Sequence, residues 1–174
     1  IRSEIMLTVG MMEAIDLPKK KSFWSRMSNT AMGFDFGTKR IGVATGQDLT
    51  GTAQGVATVG NSGKNGPWNE IEELIHQWQP DMLVVGLPLG KEGAETMLST
   101  AARQFGTELA SRFARPVHYI DETLTSRVAE SLVAEATPAG KRMIGRQQDL
   151  RDQIAAELIL STFFNEQSQK NNVV

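Results

Sequence analysis

A chain of 174 residues with a net charge of −2 and no cysteine excludes several chemistries before any motif is read. It can build no disulfide, thiolate metal site or cysteine nucleophile, and it has no bulk positive field to recruit nucleic acid. With 40% apolar and 22% charged residues it has the composition of a globular protein long enough for one well-buried domain. No run approaches the ~20 apolar residues of a bilayer span, so no membrane role and a cytoplasmic location are expected.

Residues 1–29 hold four of the eight methionines, the lysines Lys19 to Lys21 and no sustained period. They read as an extension, disordered or derived from upstream sequence, with Met27 as a natural start. The acids Glu4, Glu13 and Asp16 break the basic-then-apolar order of a secretory signal. A single domain is expected over 30–168, with a tail at 169–174.

From Thr30 the pattern sharpens. "TAMGFDF" alternates up to Gly37 and predicts a strand; "IGVATG" is its hairpin partner across "GTKR", and "AQGVATV" is a third strand. After the loop "NSGKNGP", Pro67 stands where a helix can begin. Ile71, Leu74, Ile75 and Trp78 then recur at helical spacing until Pro80. "DMLVVGLP" is short and continuously apolar, as a buried parallel strand should be. A helix from Ala94 to about Phe113, the strand "RPVHYID", a helix from Thr125 to about Ala136, a mobile basic loop from Ala139 to Gln148 and a final helix in "LRDQIAAELILSTFF" complete the chain. Three meandering strands followed by two parallel strands under right-handed crossovers give a mixed five-stranded α/β sheet, order 3-2-1-4-5 with strand 2 antiparallel, flanked by helices. That architecture resembles the ribonuclease-H-like fold.

Asp-Phe-Gly at residues 35–37 invites comparison with the kinase magnesium tripeptide. Only 34 residues precede it, too few for the glycine-rich loop, strand lysine and catalytic loop of a kinase. "GNSGK" has too few residues between its glycines for a phosphate-binding P-loop. His76 and His118 lack metal-ligand spacing.

Carboxylates remain. Asp35 interrupts an apolar strand, where an unpaired charge is costly to bury, so it needs a partner, and a metal is one such partner. Gly37 would let a phosphate or metal approach closely, with Lys39 and Arg40 supplying positive charge. Asp121 and Glu122 fall at the C-terminal end of the last strand, where ligand sites of parallel sheets form. Acids complementing a following helix are the competing interpretation for both. The first and last strands are two steps apart, on the order of 10 Å, and Gly86 on the strand between them leaves that gap open. Asp152 falls near the start of the last helix, with Asp149 as its competitor. Three carboxylates on separate elements suit Mg²⁺ or Mn²⁺, and two such ions can drive phosphodiester hydrolysis without a protein nucleophile.

"FDFGTKRIGVA", "VVGLPLG", "DETLTS" and "RDQIAAELIL" resemble, in order and spacing, the motifs of the YqgF family. These are Holliday-junction-resolvase-like proteins, also described as nucleases for the 16S ribosomal RNA precursor. The resemblance covers about Thr30 to Phe164 and implies a ribonuclease-H-like, metal-dependent nuclease acting in ribosome maturation. It carries the acidic positions onto Asp35, Glu122 and Asp152, as catalytic groups and ligands of Mg²⁺ or Mn²⁺. Three positions depart from the family pattern. Thr123 replaces an arginine for which Arg127, one helical turn on, can substitute; Arg151 stands at a small apolar position; Gly90 stands where asparagine is common.

The expected partner is structured RNA or branched DNA, within a ribosomal precursor particle, bound by a monomer or weak homodimer. Lys39, Arg40, Arg127, Lys141, Arg142 and Arg146 are the candidate backbone contacts, which position substrate without reading sequence. Two other functions share the fold. An actin-like or sugar-kinase ATPase needs two such domains around its nucleotide, more than about 145 residues provide; a non-catalytic nucleic-acid-binding module needs only the surface.

Overall fold

The structure is a computed structural model that describes residues 29–63, 65–122 and 145–171. Strands β1 (Thr30–Phe36), β2 (Arg40–Gln47) and β3 (Thr52–Gly60) form an antiparallel meander. Helix α1 (Trp68–Trp78) leads to β4 (Met82–Leu87), which pairs in parallel with β1. A short 3₁₀ turn (Lys91–Gly93) and α2 (Met97–Phe113) lead to β5 (Val117–Asp121), parallel to β4. Helix α3 (Arg146–Asn171) closes the described chain. The sheet order is β3-β2-β1-β4-β5, as the element sequence predicts.

Side chains alternate across each strand, and the two faces of the sheet receive different partners. Met32 and Phe34 of β1, Ile41 and Val43 of β2, and Leu83, Val85 and Leu87 of β4 pack with Ile71 and Ile75 of α1 and with Ala102, Phe105 and Leu109 of α2. The Phe105 ring is the hub of this layer, with its centroid 5.6 Å from Phe34, 5.2 Å from Phe36 and 5.5 Å from Trp68. Helix α2 is pinned at its start by a reciprocal capping box between Thr96 and Ser99, which satisfies backbone donors otherwise left orphaned.

The other face is lined by Ala31, Ala44 and Val84, with Ile120 at its edge, and receives Ala156, Ile159, Leu160, Phe163 and Phe164 of α3. Its floor is built from small residues because the helix backbone comes close to the sheet. A Cβ at Gly42 would overlap the Asp152 carbonyl oxygen, and one at Gly55 would lie 2.7 Å from the Gln153 Cβ. The β1–β2 hairpin also specifies Gly37: a Cβ there would fall 2.6 Å from the Arg40 carbonyl oxygen. The turn itself therefore requires this glycine, a different reason from the ligand approach expected from sequence.

Helix α3 starts earlier and runs further than its apolar periodicity predicts. Arg146, Gln147 and Gln148, expected in a mobile loop, already form its first turn, and the helix continues through the polar segment to Asn171. Glu166 and Lys170 face each other at i, i+4, with 4.0 Å between their charged groups, a spacing that supports an exposed last turn. The predicted helix from Thr125 to Ala136 and most of the basic loop lie outside the described residues, as do residues 1–28. Among the described residues no helix is long and apolar enough to cross a membrane.

Candidate active site

Asp35 lies near the C-terminal end of β1, on the sheet face that carries α3. Its neighbours on both sides are glycines. Across the antiparallel ladder it is paired with Gly42 of β2; on the parallel side it lies one residue beyond the Phe34–Val85 pair, level with Gly86 of β4. Each glycine leaves space that a second acidic residue enters. The Asp152 backbone lies over Gly42, and the Glu122 Oε1 occupies the position a Cβ on Gly86 would take.

Glu122 is brought there by its backbone. Its N–H donates to the Leu87 carbonyl at 3.0 Å, extending the β4–β5 pairing past Leu87–Asp121. Its side chain therefore folds back over β4, only 9% exposed. Asp152 is held from the other side, where its Oδ2 accepts a hydrogen bond from Arg40 Nε at 2.8 Å and Arg40 Nη1 donates to Gln148 Oε1 at 2.6 Å. Elements distant in sequence thus bring the three predicted acids to one end of the sheet.

Their electrostatics show that they share this environment. Burial, with the Asp152 charge second, raises the Asp35 pKa to about 6, partly offset by Arg151. Burial likewise raises Glu122 to about 8, helped by Asp35 and Asp121. Burial raises Asp152 as well, with the Arg40 ion pair and Arg151 opposing it. Desolvation combined with like charge is the pattern that marks a candidate functional site.

The donor set suits a hard divalent cation in kind, being all carboxylate oxygen, and Gly42 and Gly86 provide the cradle. The arrangement is not closed around an ion: among the described residues no group of three or more His, Cys, Asp or Glu side chains converges to metal-holding distance. Asp152 is instead engaged by Arg40.

The predicted basic residues separate. Lys39 is exposed on the hairpin and Arg146 is exposed at the first position of α3. Arg40, expected to meet substrate, instead binds Asp152 in this structure. Arg127, Lys141 and Arg142 lie outside the described residues. His76 is exposed on α1, and the His118 ring lies 5.1 Å from that of Phe163. A recess of about 470 Å³, lined by Asn29, Asp48, Met82, His118 and Phe163 among others, is at the opposite end of the strands from the acids. It is not part of their chemistry. Two contributors escaped the sequence reading. Gly42 could have been flagged as an interior strand glycine, and Arg151 was noted only as a departure from pattern, yet its charge reaches both Asp35 and Asp152.

A mixed five-stranded sheet of order 3-2-1-4-5 with helices on both faces is the ribonuclease-H-like fold. Within that class the chain belongs to the RuvX Holliday junction resolvase family, whose model matches residues 29–166. It is 42% identical over 140 residues to a protein of Aeromonas hydrophila subsp. hydrophila named "Putative pre-16S rRNA nuclease", covering 80% of this chain and 97% of that one. A protein of the same name from Chromohalobacter salexigens is 42% identical over 133 residues, covering 76% and 87%. Among solved structures, "T. thermophilus RuvC in complex with Holliday junction substrate" matches with 16% identity and a TM-score of 0.48, covering 80% of this chain and 96% of that one.

Proposed function

We propose that this protein is a metal-dependent nuclease that hydrolyses phosphodiester bonds, with the 16S ribosomal RNA precursor as its substrate in the cytoplasm. The observation that carries this reading is the gathering of Asp35, Glu122 and Asp152 at one end of the sheet, with Glu122 and the Asp152 backbone seated over the two glycines that flank Asp35. The names of the curated relatives support RNA as the substrate. The family description supports a DNA four-way junction as the second reading, for which a homodimer would present two sites.

Asp35, Glu122 and Asp152 would hold Mg²⁺ or Mn²⁺, which would supply an activated water and stabilise the leaving oxygen. The remaining work falls to the chain itself. Glu122, with its pKa near 8, keeps a proton at neutral pH in the metal-free protein, which limits repulsion with Asp35. Lys39, exposed on the β1–β2 turn, and Arg146, exposed at the start of α3, would neutralise backbone phosphates, joined by Arg127, Lys141 and Arg142. These contacts track the backbone, so selectivity between RNA and a DNA junction rests on shape.

The test is cleavage of precursor RNA and of four-way DNA junctions in Mg²⁺ or Mn²⁺, comparing wild type with Asp35→Asn. Loss of products on one substrate class upon substitution is expected and identifies that class. Products unchanged by the substitution would refute the site. Binding that survives chelator and substitution, with no products under any condition, would replace the nuclease with a binding module.

A further inference from the structure

The Arg40–Asp152 contact joins residues 112 apart in sequence, and it joins two groups that the nuclease reading assigns to different partners. Arg40 would meet a phosphate and Asp152 would meet a cation. In this structure they neutralise each other. The contact is well formed, at 2.8 Å from Nε to Oδ2, and Gln148 receives Nη1 at 2.6 Å, so the guanidinium is gripped at two points on the first turns of α3. Asp152 is 19% exposed, whereas the Arg40 side chain is 37% exposed. The arginine can therefore be reached from solvent while the acid beneath it is largely covered.

The charged neighbours favour exchange over permanent pairing. Asp149 repels Asp152 from the same helix, while Arg151 supplies a second positive charge to both Asp35 and Asp152. The planar fork of an arginine matches the two oxygens of a phosphodiester as well as those of a carboxylate. A backbone phosphate arriving over β2 would thus compete for the same donors. Once Arg40 turns to the phosphate, Asp152 keeps only the Arg151 charge at the end of the sheet that also holds Asp35 and Glu122, a state that a bound divalent cation would relieve.

We propose that Arg40 is a positioning residue that latches Asp152 away from the metal site until a nucleic-acid phosphate takes the guanidinium, so that substrate and divalent cation bind cooperatively. This rests on the metal-nuclease reading and adds an order to it: without nucleic acid the site is held short of its full ligand set. Coupling of this kind is reciprocal, so each ligand tightens the other by the same factor.

The test is calorimetric titration of Mn²⁺ alone into the full chain, without nucleic acid, for wild type, Arg40→Gln, Gln148→Ala and Asp35→Asn. Removing the competing cation is expected to tighten Mn²⁺ binding by about ten-fold in Arg40→Gln, the size of one charge-assisted hydrogen bond. Gln148→Ala, which loosens the latch without altering any acid or the arginine, should tighten it by about three-fold. A non-hydrolysable RNA duplex should raise wild-type Mn²⁺ affinity and leave that of Arg40→Gln unchanged. Binding that depends on Asp35 but is equal or weaker in both latch variants would overturn the latch alone, because Arg40 would then be holding Asp152 in place for the metal. If no variant that retains Asp35 binds Mn²⁺, the metal site fails and the latch fails with it.

Discussion

The two faces of the sheet are built on opposite rules. Toward α1 and α2 the strands present large side chains, and Phe34, Phe36, Trp68 and Phe105 meet ring to ring. Toward α3 they present glycine and alanine, and the space so released admits a helix backbone and two carboxyl groups. One face gains its stability by interdigitating bulky groups. The other gives up side-chain volume to bring charges together that would otherwise stay apart. A single strand, β1, serves both: Phe34 and Asp35 are adjacent in sequence and point to opposite faces.

This division predicts a crossed pattern of losses. Asp35→Asn should lower cleavage by roughly 1,000-fold, because an interaction worth several kcal/mol in the transition state is removed, while the fold melts no earlier than wild type. Phe105→Ala should destabilise the fold by about 3–5 kcal/mol, since the ring is 5% exposed and touches three other aromatics. Its residual activity at low temperature should stay within a few-fold of wild type. Parallel denaturant melts and single-turnover cleavage check both. If Asp35→Asn cost as much stability as Phe105→Ala, the separation of the two faces would not hold.

Much of this was legible in the sequence, and the exceptions share a cause. The alternation of "TAMGFDF" gave β1 its two faces, the continuous apolar run of "DMLVVGLP" gave a buried parallel strand, and Gly86 was recognised as the gap between acids. Local pattern carries such features, because a strand's period and a turn's chemistry are set by near neighbours. The Arg40–Asp152 pair and the seating of the Asp152 backbone on Gly42 depend on how α3 crosses β2, which no local window encodes. The early start of α3 was missed for the same reason. "GRQQD" carries loop-like polarity, and its helicity is supported by contacts from β2 and β3 such as the hydrogen bond from Thr58 Oγ1 to the Asp149 carbonyl at 2.9 Å.

The glycines on the α3 face give a finer test. Gly42→Ala places a Cβ against a backbone oxygen of α3, which cannot yield without moving the helix. A stability loss of about 2–3 kcal/mol is expected together with loss of activity. Gly86→Ala meets the ends of two flexible side chains, Glu122 and Ile159, which can turn aside. It should lower activity by about 100-fold while costing about 1 kcal/mol or less. Equal stability losses in the two variants would mean that Glu122 is as rigidly fixed as the helix backbone.

The smallest effect concerns pH and has a definite sign. Glu122 and Asp35 have folded-state pKa values raised to about 8 and about 6, so the folded protein holds protons that the unfolded chain has released. Stability linked to these groups is fully present below about pH 4, declines as Asp35 ionises toward pH 6, and declines further as Glu122 ionises toward pH 8. Glu122→Gln removes the second part, so in thermal melts without metal its melting temperature should exceed that of wild type by about 5 °C at pH 8.5 and by almost nothing at pH 5. Mg²⁺ should act in the same direction on wild type, with a larger stabilisation at pH 8.5 than at pH 5.5, because ligands must lose their protons to bind it. Among the described residues the aromatic core buries no acid, so Phe105→Ala should lower the melting temperature by a similar amount at every pH in that range. A Glu122→Gln variant that tracked wild type across the whole range would mean that Glu122 is already ionised at neutral pH. The acids would then repel one another in the resting protein, with Arg40 and Arg151 as the charges that offset them.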